Sequence, residues 1–250
     1  IAMTITVIRD TVVCLDENNN PLRDIILWLD KRSVDPNGAM PAKNMMVFKL
    51  AGMEPTAKVV YAASAGNWIM RHEPEIWART AKYVMLPTYL NYKLTGNLID
   101  SASNQIGHIP FDYKNRRWMK PGSLTRCFCD VPNEKLCDLV PSGTVIGTIT
   151  DEVSALTGIP AGLPLISTGS DKGCETLGLA VVDSDKASIS LGTTATIQFS
   201  TTQYVEPQQF LPAYPGVLND HYNPEIEIYR GLWLLSWFVK EFGTADAIDA

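Results

Sequence analysis

GLPLISTGSDKGCETLGLA, residues 162–180, is the stretch from which the architecture of this chain is read. Leu163 to Ile166 is a short apolar run of strand character, and Lys172 to Ala180 carries apolar or small residues at helical spacing. Asp171 therefore falls on the turn between a buried strand and a helix. Turns of that kind are where α/β proteins place their chemistry. A local alternative is that Asp171 only caps the helix, accepting hydrogen bonds from the free amides of its first turn. The rest of the chain has to decide between the two.

With 250 residues, 46% of them apolar and 19% charged, the chain suits one large globular domain or two smaller ones. A net charge of -6 and a pI near 5.1 disfavour nucleic acid and anionic membrane as partners, because the average surface repels both. The longest strongly apolar stretch, Leu232 to Val239, is broken by Ser236 and is too short to span a bilayer. No basic-then-apolar leader is present, so a cytoplasmic protein is expected. Ile1 opens directly into the β-branched run IAMTITVIRD, as if strands were already under way, and the natural beginning is expected to lie upstream. Cys127, Cys129 and Cys137 cluster without paired C-x-x-C spacing, which favours reduced buried thiols over a zinc site. His72, His108 and His221 are scattered and read as surface or satisfied core positions.

Along the chain, residues 1 to 30 read as a hairpin or meander around the turn ENNNP (17–21), with DIILWLD (24–30) as a following strand. From Asn37 to about Leu94 the pattern is helical, punctuated by Pro36, Pro41, Pro55, Pro74 and Pro87. LTGNLIDSASNQIG (94–107) reads as a loop and FDYKNRRW (111–118) as a charged turn, with helices resuming after it. PSGTVIGTIT (141–150) reads as a strand, DEVSALTG (151–158) as a helix ending at its glycine, and IPAGLP (159–164) as a linker. A domain boundary is placed there, giving residues 1–160 and 161–250. KASISLGTTATIQFS (186–200) is then a strand pair joined at Gly192-Thr193-Thr194, and Leu232 to Phe242 a helix apolar nearly all round, hence expected to be buried.

Three features combine: the carboxylate Asp171 at a strand end, the Gly192-Thr193-Thr194 turn, and the Arg9-Asp10 pair in the first strands. Phosphoryl transfer to an alcohol needs such a set. A carboxylate takes the hydroxyl proton, backbone amides and threonine hydroxyls hold phosphates, and paired polar groups fix the acceptor's hydroxyls.

Longer stretches carry a family resemblance: IRDTVVCLDENNNPLRDIILWLDKR (8–32) with its W-x-D-x-R ending, WIMRHEPEIW (68–77), LPTYLNYKLTGNLIDSASN (86–104), GLPLISTGSD, SLGTTATI and RGLWLLSWF (230–238). In that order they resemble the motifs of the FGGY family of carbohydrate kinases, which includes glycerol kinase and xylulokinase. The resemblance implies an actin-like (ribonuclease H-like) two-domain ATPase fold, here incomplete. Residues 1–160 would be the substrate-side domain without its first strands, and 161–250 the start of the nucleotide-side domain. It further implies ATP and Mg2+ as cofactors, a small-molecule sugar or polyol as substrate, and a catalytic carbohydrate kinase, the alternative being a non-catalytic sugar- or nucleotide-binding member of the same fold. A homodimer is left open.

Position by position, Asp171 is similar to the family's catalytic base, and Gly192, Thr193 and Thr194 to its second phosphate motif. Arg9 and Asp10 resemble the Arg-acid pair that holds the polyol in the glycerol kinase branch. Trp28, Asp30 and Arg32 are expected to be structural. The family's Asp-x-Gly-Thr phosphate loop and its glycine-rich adenine segment are not found in the chain, which on its own is expected to be inactive. No metal ligands are assigned. Lys172, beside the base, would suit a substrate carrying a carboxylate if its ammonium enters the cleft; turning outward or pairing with Glu175 is the alternative.

Overall fold

A computed structural model describes residues 1–192, 194–208 and 210–243 of the chain. The fold divides into two compact units, Ile1–Cys174 and Glu175–Ala250. The division lies downstream of residue 160, and the segment 159–164 is a turn within the first unit that feeds its strand Pro164–Ile166.

The first unit is built around two strands, β1 (Met3–Thr4) and β2 (Val12–Leu15), at its N-terminal end. All four residues of β2 are buried, which is what a run of β-branched and small apolar residues permits when both faces are covered. The turn after it is made by Asp16, whose carboxylate accepts the backbone N–H groups of Asn18 and Asn20 at 2.8 Å each. The returning chain then contributes isolated bridges, Leu15 with Pro21 and Val12 with Ile26, so the strand expected over residues 24–30 is reduced to a single pairing. Most of the hydrogen-bonding edge of β2 is taken instead by a sequence-distant strand.

Helices follow as expected: α1 (Ala42–Leu50), α2 (Glu54–Ala63), α3 (Ala65–His72) and α4 (Pro74–Arg79). Pro41, Pro55 and Pro74 stand at or just before the first turns, where a missing N–H costs nothing. Ser64 caps α3 by accepting the Asn67 amide. Within this helical span lies the distant partner, β3 (Lys82–Met85), antiparallel to β2 with Val12 opposite Met85. Alternation sorts the pair: Val12, Cys14, Tyr83 and Met85 join a core with Ile69, Phe111 and Val131, while Val13, Leu15 and Val84 face Cys137 on the other side. Each such side chain contributes about 1.5–3 kcal/mol by leaving water.

Helix α5 (Leu86–Thr95) follows β3 directly and ends at Gly96 in the left-handed conformation, φ +79°. The stretch 94–107, expected as loop, contains a buried strand, β4 (Ile99–Ser101). A hairpin of β5 (Phe111–Asp112) and β6 (Arg117–Trp118) occupies the charged turn. The helices expected after it are 3-10 turns at Leu124–Phe128 and Asn133–Lys135, because Pro121, Pro132 and Pro141 interrupt any longer run. Strand β7 (Asp138–Val140) pairs in parallel with β4. Strand β8 (Val145–Thr148), helix α6 (Asp151–Thr157), capped by Thr150 and ended by Gly158, and β9 (Pro164–Ile166) agree with the sequence pattern. In sheet order β1-β9-β8, β9 is parallel to β1 and antiparallel to β8. Helix α7 (Asp171–Gly178) begins after β9, and the division between the units falls within it. Cys129 and Cys137 are buried free thiols and Cys127 is half-buried; burial pushes Cys129 up to about 12, so it is neutral at physiological pH.

In the second unit, β10 (Ser188–Leu191) and β11 (Ala195–Gln198) form the expected hairpin, and β11 also pairs with a later strand, which follows the short pair β12 (Tyr214–Pro215) and β13 (Tyr222–Asn223). That partner is β14 (Glu225–Ile228). Helix α8 (Trp233–Phe242) corrects an expectation: it is not buried, with Leu235 58% and Phe242 67% exposed. A helix this rich in exposed apolar side chains presents a surface that needs cover. Among the described residues no helix is long and apolar enough to cross a membrane.

Asp100 is the one carboxylate sealed in the first unit's core, at 0% exposure, and it accepts hydrogen bonds from Thr88 Oγ1, Asn91 Nδ2, Asn104 Nδ2, Gln105 Nε2 and the Ser101 amide. Burial raises its pKa to about 6 despite those donors. The folded state therefore holds this proton more tightly than the unfolded chain does. The stabilisation is fully present below about pH 4 and is lost as pH rises through 6, a swing of about 3 kcal/mol. Urea unfolding of the protein at a series of pH values should show that decline. Asp100→Asn should remove the decline and lower stability, since its amide leaves donors of the network unpaired, with a cost about 3 kcal/mol larger below pH 4 than above pH 6.

Candidate active site

Helix α7 begins on a turn held from both sides. Thr168 Oγ1 donates to Ile5 O at 2.7 Å, Thr6 Oγ1 donates to Gly169 O at 3.0 Å, and the Ser170 amide donates to Ser103 O at 3.1 Å. Ser101 Oγ and Ser142 Oγ both donate to Thr168 O. The cap of the helix is Ser170, whose Oγ accepts the Gly173 amide at 3.3 Å. The capping alternative for Asp171 is thereby answered, since the residue before it does that work. Asp171 is the first residue of the helix, and its Oδ1 is buried yet accepts no hydrogen bond among the described residues. Its ionic partner is Arg9, with Nε 3.6 Å from that oxygen and side chains 15% and 31% exposed for Arg9 and Asp171.

Arg9 and Asp10 lie just before β2, and Asp10 has a positive φ of +46°, a conformation that aspartate tolerates at some cost. Its amide donates to Ile106 O at 3.0 Å. The carboxylate is held by one residue, His108, whose backbone N–H donates to Oδ1 at 3.0 Å and whose Nδ1 lies 2.6 Å from Oδ2. Burial draws the imidazole pKa down, but the hydrogen bond and negative charge of Asp10 together raise it above its ordinary value. Gly107, between these contacts, has φ +155°, and a Cβ there would overlap the Asp10 carboxylate. Tyr113 completes the loop, its Oη accepting the Gly107 amide at 3.1 Å and donating to Gly107 O at 2.9 Å.

The structure thus pairs Arg9 with Asp171 and the adjoining Asp10 with His108, and His108, Gly107 and Tyr113 were not selected from the sequence. His108 is separated from Asp10 by 98 positions, and the only local sign was a Gly-His step at the end of a polar loop. Lys172 is half-buried in the first turn of α7 and engaged in interactions of its own. In the second unit, the turn between β10 and β11 leaves Gly192 exposed, with its amide donating to Thr194 O at 3.0 Å, and Thr194 half-buried. Thr193 lies outside the described residues. Asp30 and Arg32 are paired, Arg32 Nε donating to Asp30 Oδ1 at 2.8 Å with its guanidinium 4.4 Å from the Trp68 ring centre, and Trp28 is half-buried. Among the described residues no three His, Cys, Asp or Glu side chains converge to hold a metal ion.

Comparison with known proteins identifies the family and the fold. The chain is 32% identical over 163 residues to an uncharacterized sugar kinase of Escherichia coli, covering 65% of the chain and 33% of that protein. It is 28% identical over 236 residues to the xylulose kinase of the same organism, covering 93% and 47%. The chain therefore spans about a third to a half of the length of these relatives. Its fold superposes on the crystal structure of a gluconate kinase from Lactobacillus acidophilus with a TM-score of 0.76 at 21% identity, covering 97% of the chain and 49% of that structure. A xylulose kinase from Rhodospirillum rubrum gives 0.76 at 20% identity, covering 98% and 51%. The fold is accordingly the α/β, actin-like one of these kinases. The model of the FGGY family of carbohydrate kinases, N-terminal domain, matches residues 1–178, and with that match over most of its length this chain belongs to the FGGY family of carbohydrate kinases.

Proposed function

We propose that this chain is the acceptor-side part of an ATP-dependent kinase that phosphorylates a hydroxyl of a small sugar, polyol or sugar acid in the cytoplasm. The first unit supplies the acceptor site and the second begins the nucleotide side. The observation that carries the reading is the position of Asp171. A carboxylate oxygen with no hydrogen-bond donor of its own, on the first turn of a helix and within ionic reach of Arg9, can still accept a proton. In this reading Asp171 takes the proton of the acceptor hydroxyl, and the freed oxygen attacks the terminal phosphorus in line as the bond to the departing diphosphate breaks. Arg9 orients Asp171, and Asp10 accepts hydrogen bonds from the substrate's other hydroxyls.

ATP supplies the phosphoryl group and Mg2+ offsets its charge. The exposed Gly192 turn fits a phosphate contact: among the described residues a side chain added at Gly192 would meet only the Thr194 carbonyl, at 3.9 Å, which leaves room for a ligand at the backbone. Thr194 would add its hydroxyl, and Thr193 is assigned with it by sequence. Magnesium needs few protein ligands when phosphates supply the rest, and no resident cluster is required of these residues. Lys172, on the same helical turn as Asp171, is assigned to the substrate and would favour acceptors bearing a carboxylate.

In the full-length protein, Asp171→Asn should fold and bind ATP but lose turnover by about a hundred- to ten-thousand-fold, the usual cost of removing a general base. Steady-state kinetics with near-normal kcat would remove Asp171 from this role. Thr194→Val should raise the KM for ATP, or lower kcat, and leave the ranking of accepted sugars as it was. A changed ranking in a substrate screen would place that turn at the acceptor instead.

A further inference from the structure

Asp10 is held with unusual completeness for a surface-proximal carboxylate. Its backbone takes a left-handed conformation, its amide is tied to Ile106 O, and both carboxylate oxygens are engaged by His108. The segment 106–108 is itself locked. Tyr113 Oη bridges the amide and carbonyl of Gly107, and Ser64 Oγ donates to His108 O at 3.3 Å. Gly107 is the residue that allows the loop to pass this close, because a Cβ there would enter the Asp10 carboxylate. Neither partner is sealed off: the His108 side chain is 35% exposed and that of Asp10 26%. This is a clamp on a carboxylate at the edge of the candidate active site, not a core hydrogen bond.

We propose that His108 is a positioning residue of the acceptor site, which holds the Asp10 carboxylate in one rotamer through Nδ1–H and its own backbone N–H, so that the remaining lone pairs face the substrate hydroxyls. The inference rests on the reading of Arg9 and Asp10 as the acceptor-binding pair. A carboxylate offers about four acceptor positions, and His108 uses two. The other two are fixed in direction before the substrate arrives, so the rotamer entropy of Asp10 is lost on folding rather than on binding. The bond from Nδ1 also fixes the imidazole's tautomer when it is neutral, leaving Nε2 as the acceptor nitrogen. Because Arg9 is the preceding residue and reaches Asp171, the same clamp anchors the root of the arginine that orients the base. No local pattern in the sequence specifies this residue, and its role follows from where Asp10 lies.

The test uses the full-length protein with Asp10→Ala, His108→Ala, His108→Asn and His108→Gln, with KM and kcat measured for the accepted sugar and for ATP. An asparagine amide can stand where Nδ1 stands, and a glutamine amide extends toward the place of Nε2. His108→Ala should raise the KM for the sugar about ten- to a hundredfold, the loss expected for a charge-assisted hydrogen bond, with the KM for ATP unchanged and kcat within a few-fold. His108→Asn should recover most of that loss and His108→Gln should not. A raised sugar KM in Asp10→Ala with an unchanged one in His108→Ala would overturn the positioning role and leave the acceptor reading standing. Recovery by glutamine as complete as by asparagine would overturn it as well. An unchanged sugar KM in Asp10→Ala would sink the acceptor reading itself. Should His108→Ala fail to fold, as judged by its thermal unfolding, the asparagine and glutamine variants still discriminate, because both keep the backbone N–H to Asp10 and differ only in where the side-chain donor sits.

Discussion

The buried carboxylate of Asp100 is the constraint on which the first unit depends. Sealing an acid in the core is costly unless donors surround it, and here the donors come from α5, from β4 itself and from the turn that follows it. That requirement fixes the course of residues 100–105. Ser101 and Ser103, on the same stretch, then reach the carbonyl of Thr168 and the amide of Ser170. The turn that presents Asp171 is thus hung from a segment whose path is dictated by one buried charge. A change at Asp100 would reach the candidate base through bonds that can be named, although Asp100 touches neither Asp171 nor Arg9 in any bond described for it.

The site is assembled from three short pieces of chain, 9–10, 106–108 and 168–171, all within the first unit. Each is backbone of non-repetitive geometry next to regular structure: Asp10 in the left-handed region before β2, Gly107 at a φ that glycine favours, and Ser170 capping α7. Such positions carry strain or demand caps, and rigid neighbours make them affordable. Around Asp10 those neighbours are the fully buried β2 and its partner β3, whose two faces belong to two separate clusters of core side chains.

The second unit has a different balance. Its sheet and α8 expose Ile189, Leu191, Ile226, Ile228 and Leu235, so much of its apolar surface is uncovered. The hairpin that carries Gly192 is nonetheless well registered, with Leu191 opposite Ala195, because strand pairing needs only the backbone and the turn. Order in the β10–β11 hairpin is local, whereas the cover for its apolar face is not.

What the sequence determined by itself was whatever depends on neighbours in the chain. Helices opened by Pro41, Pro55 and Pro74, the glycine stop at Gly158, the β10–β11 hairpin and the placement of Asp171 between β9 and α7 all follow from propensity, period and caps acting over a few residues. The ordered motifs also sufficed to indicate the family. Tertiary structure decided everything whose partner is far away. β2 chose β3 over the neighbouring 24–30 segment because Val12 to Leu15 need cover on both faces, which only the helical region and its embedded strand provide. Within the stretch 94–107, residues 99–101 form a strand instead of loop, and the buried Asp100 on it is met by donors from α5 and from the turn that follows. Asp171 met Arg9, and Asp10 met His108, across 162 and 98 positions, a separation at which periodicity carries no signal and only the closure of the fold brings charge to charge.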